Sequence, residues 1–427
     1  MFKTLRNAWS IPELRKKLIF TVLILLLYRI GSVITVPFVS KEAMENFFNN
    51  DLQNTILGMY NTLSGNGFAQ ASVLGLGIQP YINSSIIVQL LTIAIPALER
   101  MAKEQGEEGK KKIDRITRIV TVALGVLMGF ASYVIMSNNG ILTADTNPVL
   151  TAIVVILALA AGSTVVMWLG EQITEYGIGN GISMILFANI ISSFPEMIEK
   201  ASSGLTLGWF QWWHLVIIGV IMVLMVIFIV FINDAERRIP IQYAKRVVGR
   251  KVYGGQSTNL PIKVSMSGVM PVIFASTIMM IPGTICGFIG VNSGWWYENV
   301  FTPTGWVYCV LYGLLIFFFS WFYSTIQYDP VEISNNLKKN GGFIPGFRPG
   351  KPTSDFIKKV INKILVFGAV YLAIVALLPM LGNIILPATQ YLAIGGTSII
   401  IVVGVALETV KALEAQMLMR HYKGFLD

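Results

Sequence analysis

Two histidines, His214 and His421, and two cysteines, Cys286 and Cys309, are the sequence's whole supply of side chains favoured for metal, thiol or proton-shuttle chemistry. None stands in an H-E-x-x-H or G-x-S-x-G pattern, the spacings that set a base beside zinc or lift a serine nucleophile onto a strand-to-helix turn. Gly346-Phe-Arg-Pro-Gly350-Lys351-Pro352 approaches a phosphate loop. It is one residue short between the glycines, and Pro352 stands where Ser or Thr would meet the metal. Gly177-Ile-Gly179-Asn180-Gly181 lacks the spacing and the preceding strand of a dinucleotide loop, and reads as a turn opening a helix. Ion coupling needs paired ionisable groups near mid-membrane. Arg29 alone lies inside an apolar run, where it is expected to snorkel outward or pair with a helix end, while Glu171, Glu175 and Asp234 fall at run ends. Both cysteines lie in or beside apolar runs and read as inert thiols. The sequence predicts no catalytic residue, no metal and no cofactor.

What does recur is an interrupted helix. Gly77-Ile-Gln-Pro80-Tyr-Ile82-Asn-Ser-Ser85-Ile-Ile87 and Gly268-Val-Met-Pro271-Val-Ile273-Phe-Ala-Ser276-Thr-Ile278 both read G-x-x-P-x-I-x-x-S-x-I. Each falls in the second apolar run of its half, and Gly/Pro-interrupted spans at matching positions of inverted halves point to a central pathway. Around the first, Gln79, Asn83, Ser84, Ser85 and Gln89 alternate with Ile78, Ile82, Ile86 and Ile93. Such a face suits a wall that is sometimes wet and sometimes shut; helix packing through Ser and Asn accounts for it equally well. Just upstream, Leu57–Val73 is too short to span and carries Gly58, Gly65 and Gly67. It is expected to fold back into the outer side of a cavity, since irregular backbone at membrane depth needs protein or water around it. An external loop is the other reading.

These features require a membrane frame. The chain is 54% hydrophobic and only 13% charged, with mean hydropathy +0.66, whereas an ordinary soluble domain carries about 25% charge. Ten apolar runs are long enough to span as helices: Leu18–Val36, Ala71–Ile95, Ile116–Met136, Leu150–Leu169, Ile178–Ile198, Leu215–Ile232, Met266–Ile285, Val307–Tyr323, Ile364–Leu381 and Tyr391–Val410. Of the 32 Lys and Arg residues, 29 sit in every second connection: Met1–Lys17, Arg100–Arg118, Arg237–Lys263, Lys338–Lys363 and Lys411–Lys423. Positive loops stay inside, so both ends are expected in the cytoplasm. The basic start, without a cleavage-type site, reads as a retained end. The expected fold is an all-α polytopic membrane protein of ten transmembrane helices in two inverted five-helix halves. Residues 1–17 form the inner N-terminus, 18–200 the first half, 201–410 the second, and 411–427 the tail. Two inner loops, 234–263 and 327–363, are long and basic, the first with a hairpin pattern turning near Gly249. Lipid headgroups account for any such basic cluster, but structured loops of this length favour docking of a large partner, an RNA or an acidic protein.

Three stretches together resemble the SecY family of protein-conducting channel subunits: Leu76–Leu91, Trp168-Leu-Gly-Glu-Gln-Ile-Thr-Glu-Tyr-Gly-Ile-Gly-Asn-Gly-Ile-Ser183 and Asn336–Gly350. Tyr243-Ala-Lys-Arg246 and Gln256-Ser-Thr-Asn-Leu-Pro261 add to the likeness, which runs from the first span to the last. The resemblance implies a clamshell that passes unfolded secretory polypeptides across a bacterial cell membrane and releases transmembrane segments sideways into lipid. It implies a mid-membrane constriction at Ile78, Ile82, Leu186, Ile273 and Ile401, Leu186 standing where the family pattern has isoleucine. Near 57–70 it implies a plug made up of Met59, Tyr60, Asn61, Leu63, Ser64, Gly65, Gly67 and Phe68. It places a lateral gate at Ser85, Gln89, Ser276 and Thr277. Docking of a ribosome or the SecA motor is implied at Lys245, Arg246, Arg250, Lys251, Arg348 and Lys351, with SecE and SecG as small membrane partners and signal-peptide-bearing polypeptides as cargo. The competing reading, an inverted-repeat secondary transporter, predicts a polar or charged site at the two interruptions, where this chain has isoleucines. A membrane hydrolase lacks a nucleophile–base pair.

Overall fold

The computed structural model describes every residue except 1, 49–60, 105, 144–146, 207, 209–210, 244–245, 249–250, 254–256, 267, 290–293, 303–304, 386–395 and 424–427. The first half runs α1 (Phe2–Ser10), α2 (Pro12–Gly31), α3 (Lys41–Phe47), α4 (Gln79–Ala94), α5 (Pro96–Glu104), α6 (Gly106–Asn138), α7 (Pro148–Tyr176) and α8 (Gly181–Ser192), and α9 (Phe194–Thr206) leads out of it. The second half opens with α10 (Trp212–Asp234). Four strands follow: β1 (Glu236–Tyr243), β2 (Arg246–Val248), β3 (Lys251–Tyr253) and β4 (Ser257–Lys263). The chain then forms α11 (Met270–Ile289), α12 (Trp306–Gln327), α13 (Pro330–Lys339), β5 (Gly342–Phe343), α14 (Lys351–Ile385) and α15 (Gly396–Lys423).

Each of the ten apolar runs overlaps a helix of this series: α2, α4, α6, α7, α8 with the start of α9, α10, α11, α12, α14 and, from Gly396, α15; residues 391–395 of the last run lie outside the described residues. Among the described residues, six helical stretches are long and apolar enough to cross a membrane by themselves, and α4 with α5, bent by 106°, makes a seventh. The surface is apolar where lipid must lie. Over its 23 residues, α10 buries Met225, Ile229 and Ile232 and exposes Val220, Val223, Leu224, Ile227 and Phe231. At 1.5 Å per residue it is about 34 Å long, enough for about 30 Å of hydrocarbon. This is a multi-pass membrane protein.

Several expected spans differ at their ends or middle from what forms. Ala71–Ile95 is helical only from Gln79, because Gly77 takes a left-handed φ of +54° and Pro80 sits in the first turn. The second half does the same: Gly268 has φ +58° and Pro271 is the second residue of α11. The repeated G-x-x-P is therefore a helix start rather than a break within a helix. Glycine turns the chain where a side chain would be strained, and proline occupies a first-turn site whose N–H has no partner to lose. Ile178–Ile198 also splits, at Ser193. The 12 residues of α8 reach only about 18 Å before the chain bends into α9.

One apolar core joins the halves. Ile24, Ile82, Val166 and Leu186 from the first pack with Val272, Ile316, Val375 and Ile401 from the second. Helix α15 returns to lie against α8 and α10, and α11 touches α6. Among the described residues, the named strands lie in the two long basic loops. Strand β1 pairs antiparallel with β4 from Glu236↔Lys263 to Gln242↔Ser257, and β5 of the other loop adds to its far edge at Gln242↔Phe343. The expected hairpin is β2 on β3. Ile239, Ile241, Ile262, Ile344, Ile357 and Ile361 close a separate core beneath the sheet, so the two loops are one packed unit.

Close backbone approach fixes the stretch ahead of α4. Val73 N–H donates to the Ile34 carbonyl at 2.8 Å and Val36 N–H to the Ala71 carbonyl at 2.8 Å, strapping this stretch to the end of α2. Gly162 of α7 lies directly against the Val73 carbonyl, so a Cβ there would collide with it. Gly162→Ala is expected to cost about 1–3 kcal/mol by overpacking, seen as a lower unfolding midpoint in detergent. An unchanged midpoint would show that the strap shifts freely.

Candidate functional site

Four helices, two from each half, meet at a single point. Ile82 of α4, Leu186 of α8, Ile273 of α11 and Ile401 of α15 line one void of about 10 Å³, which Leu63 from the turn-rich segment also lines. That is at most the space of one water molecule. Ile82, Leu186 and Ile401 are at most 7% exposed. Gln79, Ser276 and Thr397 complete the lining. Each comes from a helix that also gives an isoleucine, three or four residues away on the same face: Gln79 with Ile82, Ser276 with Ile273, Thr397 with Ile401. Of the five residues expected at a constriction, Ile78 alone does not line this void. It is buried at the start of α4, where a Cβ on Gly170 of α7 would lie 3.6 Å from its Cδ1.

The segment 61–78 covers this point and is itself mostly buried: Leu63, Ser64, Gly65, Gly67 and Phe68 are all inside. It is held more firmly than its glycines and modest hydrophobicity suggest. Internally, Asn61 Oδ1 accepts from Ala69 N–H at 2.9 Å, Asn61 Nδ2 donates to Asn66 Oδ1, and Ser64 Oγ donates to the Asn61 carbonyl at 2.9 Å. Externally, Arg29 Nη1 of α2 donates to the Gly65 carbonyl at 2.8 Å, and Asn189 Nδ2 of α8 donates to the Leu63 carbonyl at 2.9 Å. Asn66 Nδ2 donates to Glu196 Oε2 of α9 at 2.7 Å. Phe68 packs edge-on to Phe48, ring centroids 5.9 Å apart. Arg29 thus neither snorkels nor meets a helix end, as its position alone suggested; it meets an irregular carbonyl that needs a donor. The signal for it was the one arginine inside an apolar run. Nothing in the sequence near Asn189 marks it. Met59 and Tyr60 lie outside the described residues.

Beyond that point, Ser85 and Gln89 of α4 bond to each other, Nε2 to Oγ at 3.3 Å, with Gln89 exposed. Ser276 and Thr277 of α11 are buried, and Ser276 Oγ donates to the Ile273 carbonyl. Among the described residues no hydrogen bond joins the two pairs. On the second basic loop, Arg348 and Lys351 are exposed. The Arg348 loop is pinned: Thr353 Oγ1 donates to the Arg348 carbonyl at 2.8 Å, Ser334 Oγ to the Gly350 carbonyl at 2.9 Å, and the Phe347 and Phe356 rings lie 4.3 Å apart. Arg246 and Lys251 stand on the paired strands β2 and β3, while Lys245 and Arg250 lie outside the described residues.

The residues weighed for catalysis have structural employment. His214 Nδ1 accepts from Gln211 N–H at 3.1 Å and closes the start of α10. Asn180 Oδ1 accepts from Ile182 and Ser183 N–H at 3.0 and 3.3 Å, and Gly179 has φ +74°, so the G-x-G-x-G stretch caps α8. Glu171 pairs with Arg118 at 2.8 Å and Asp234 with Lys411 at 2.7 Å. Cys286 and Cys309 are free thiols. Among the described residues no group of His, Cys, Asp and Glu could hold a metal ion.

Comparison with known proteins agrees with this geometry. A family model described as SecY matches residues 72–410. The protein translocase subunit SecY of Streptomyces galbus is 43% identical over 441 residues, covering 100% of both chains. A solved structure described as that of a protein conducting channel is 20% identical, covers 97% of each chain and superposes with a TM-score of 0.65. Sec61 in the canine ribosome-channel complex gives 19% identity, 97% coverage of each chain and a TM-score of 0.62. With the matched model covering most of its length and a relative this similar end to end, the chain belongs to the SecY family.

Proposed function

We propose that this chain is the central subunit of a protein-conducting channel, passing unfolded secretory polypeptides across the membrane and releasing transmembrane segments sideways into lipid. The observation that carries the reading is the meeting of Ile82, Leu186, Ile273 and Ile401, from two helices of each half, around a void of about 10 Å³ closed by Leu63. A ring of apolar side chains repels a continuous column of water, yet can fit around an extended chain when the halves part. An ion-coupled transporter would put charge at the two helix starts, and this chain puts isoleucines there; that alternative is not favoured. In this reading the segment near 57–70 is the plug, Ile78 flanks the ring, and Ser85, Gln89, Ser276 and Thr277 belong to the lateral gate. The work is conduction, without covalent catalysis by this chain.

The same reading assigns the inner face to partners. Its net charge of +9 is concentrated in the inner connections, which suits a ribosome's RNA or an acidic motor surface. The family and the charge pattern support a bacterial inner membrane with both termini in the cytoplasm, SecE and SecG as companions in the bilayer, and SecA as the motor. The direct test is reconstitution of the chain with those companions into vesicles. A signal-bearing precursor should become protease-protected when motor and ATP are added, and continued digestion would sink the proposal.

Two substitutions test its parts. Changing Ile82 and Ile401 together to Ser should hydrate the ring and raise idle ion conductance in planar bilayers; variants as tight as the parent would remove them from the seal. Arg348 stands on a pinned loop, and a guanidinium grips carboxylate or phosphate in a two-point geometry that lysine lacks. Arg348→Glu should abolish motor-driven export, and Arg348→Lys should impair it. Binding only lipid headgroups, the arginine would be worth about 1 kcal/mol and lysine would replace it freely.

A further inference from the structure

Resting on the plug reading, we infer that Arg29 and Asn189 are the positioning residues that hold the stopper over the constriction, and that opening requires release of the two carbonyls they grip. The geometry is specific. Arg29 Nη1 donates to the Gly65 carbonyl at 2.8 Å and Asn189 Nδ2 to the Leu63 carbonyl at 2.9 Å, gripping the chain on both sides of Ser64. Asn189 is 0% exposed. Gly65 has φ +67°, and a Cβ on it would lie 2.8 Å from Asn189 Oδ1 and 2.9 Å from Arg29 Nη1. Gly65 therefore lies against both the arginine and the asparagine, and at its left-handed φ a side chain would be strained and would press on both.

The grip is one-sided. Among the described residues, the side-chain hydrogen bonds that reach 63–66 from outside the segment come from Arg29, Asn189 and Glu196, which all lie in the first half or at the start of its exit helix. The second half meets the stopper at the central void, where Leu63 lines the same space as Ile273, Ser276, Thr397 and Ile401. Parting of the halves can strip Leu63 from its second-half neighbours while both latch bonds stay intact. The stopper then rides with the first half, and a separate step, breaking one buried and one partly buried hydrogen bond, clears the path. Idle leak is set by that second step. A charged donor bond and a buried amide bond are each strong enough to change such an equilibrium by about tenfold.

The experiment uses the full chain, reconstituted with its membrane companions in planar bilayers, and reads the frequency of idle openings. Arg29→Gln, Asn189→Leu and Gly65→Ala should each raise that frequency about tenfold, with Arg29→Lys between parent and Arg29→Gln. Gly65→Ala tests the latch from the stopper side and leaves the spanning helices untouched. The decisive arm repeats Arg29→Gln and Asn189→Leu in a chain lacking residues 61–70. There they should add nothing, because a coupling through the stopper vanishes with it. If the deletion raises idle openings but none of the three substitutions does, the latch is wrong and the plug stands. An equal rise with and without the stopper also overturns the latch, since the residues then act on the bundle. If the deletion leaves idle openings unchanged, the plug reading itself falls.

Discussion

In a bilayer every backbone N–H and C=O needs a partner within the protein, and helices meet that need by themselves while irregular chain does not. The segment 61–78 is turn-rich chain at membrane depth. The rest of the site follows from how its polar groups are met. The Leu63 and Gly65 carbonyls go to Asn189 and Arg29, Ala71 and Val73 are strapped to the end of α2, and Asn61 folds its amide back onto the segment's own backbone. An arginine inside a span is costly and is normally retained only with a partner or a purpose. Here the expensive charge and the expensive carbonyl satisfy each other. That mutual need keeps Leu63 over the void rather than in the outer cavity of about 790 Å³, which Asn61, Thr62, Asn66 and Ala69 border.

The same constraint explains why the ring mixes isoleucine with small polar groups. A seal made only of branched apolar residues would bind a passing apolar segment and resist a polar one. Gln79, Ser276 and Thr397, one turn from the isoleucines of their own helices, border the void without carrying charge. Ser276 Oγ already donates to the Ile273 carbonyl at 2.8 Å, so its polarity is partly quenched at rest. The closed state can then be dry although its lining is not wholly apolar.

Much of this was legible in the sequence, for identifiable reasons. Hydrophobic length and the Lys/Arg alternation are strong, additive signals, and each of the ten runs lands on a helix. The Gly77/Pro80 and Gly268/Pro271 repeat was visible because glycine and proline have few backbone options; what they do, start a helix after a left-handed turn, needed coordinates. Ile82, Leu186, Ile273 and Ile401 came from family resemblance, since nothing in periodicity separates a ring isoleucine from a core isoleucine. Asn189 was illegible for a different reason. A buried asparagine inside an apolar helix becomes a donor to Leu63, 126 positions away along the chain, only once the chain between them has folded. The β1–β5 pairing was hidden likewise, because Gly342-Phe343 is too short to carry a strand pattern.

That hidden pairing changes how the inner face relates to the ring. Two separate basic loops would each move on their own helix ends, and a partner gripping one would leave the other unmoved. Joined by β1–β5 and a shared core of Ile241, Ile344 and Ile357, they are a single platform. β4 ends at Lys263, five residues before the left-handed Gly268 that opens α11, the helix carrying Ile273 and Ser276. The other edge of the platform is continuous with α14, whose first turns hold Thr353 against Arg348. The chain from β4 to the ring is thus about ten residues long and includes one glycine turn, whereas among the described residues the side-chain hydrogen bonds that reach 63–66 from outside the segment come from the other half. Force applied at this platform therefore reaches α11 through a short connection, on the side of the void that Ile273, Ser276, Thr397 and Ile401 line.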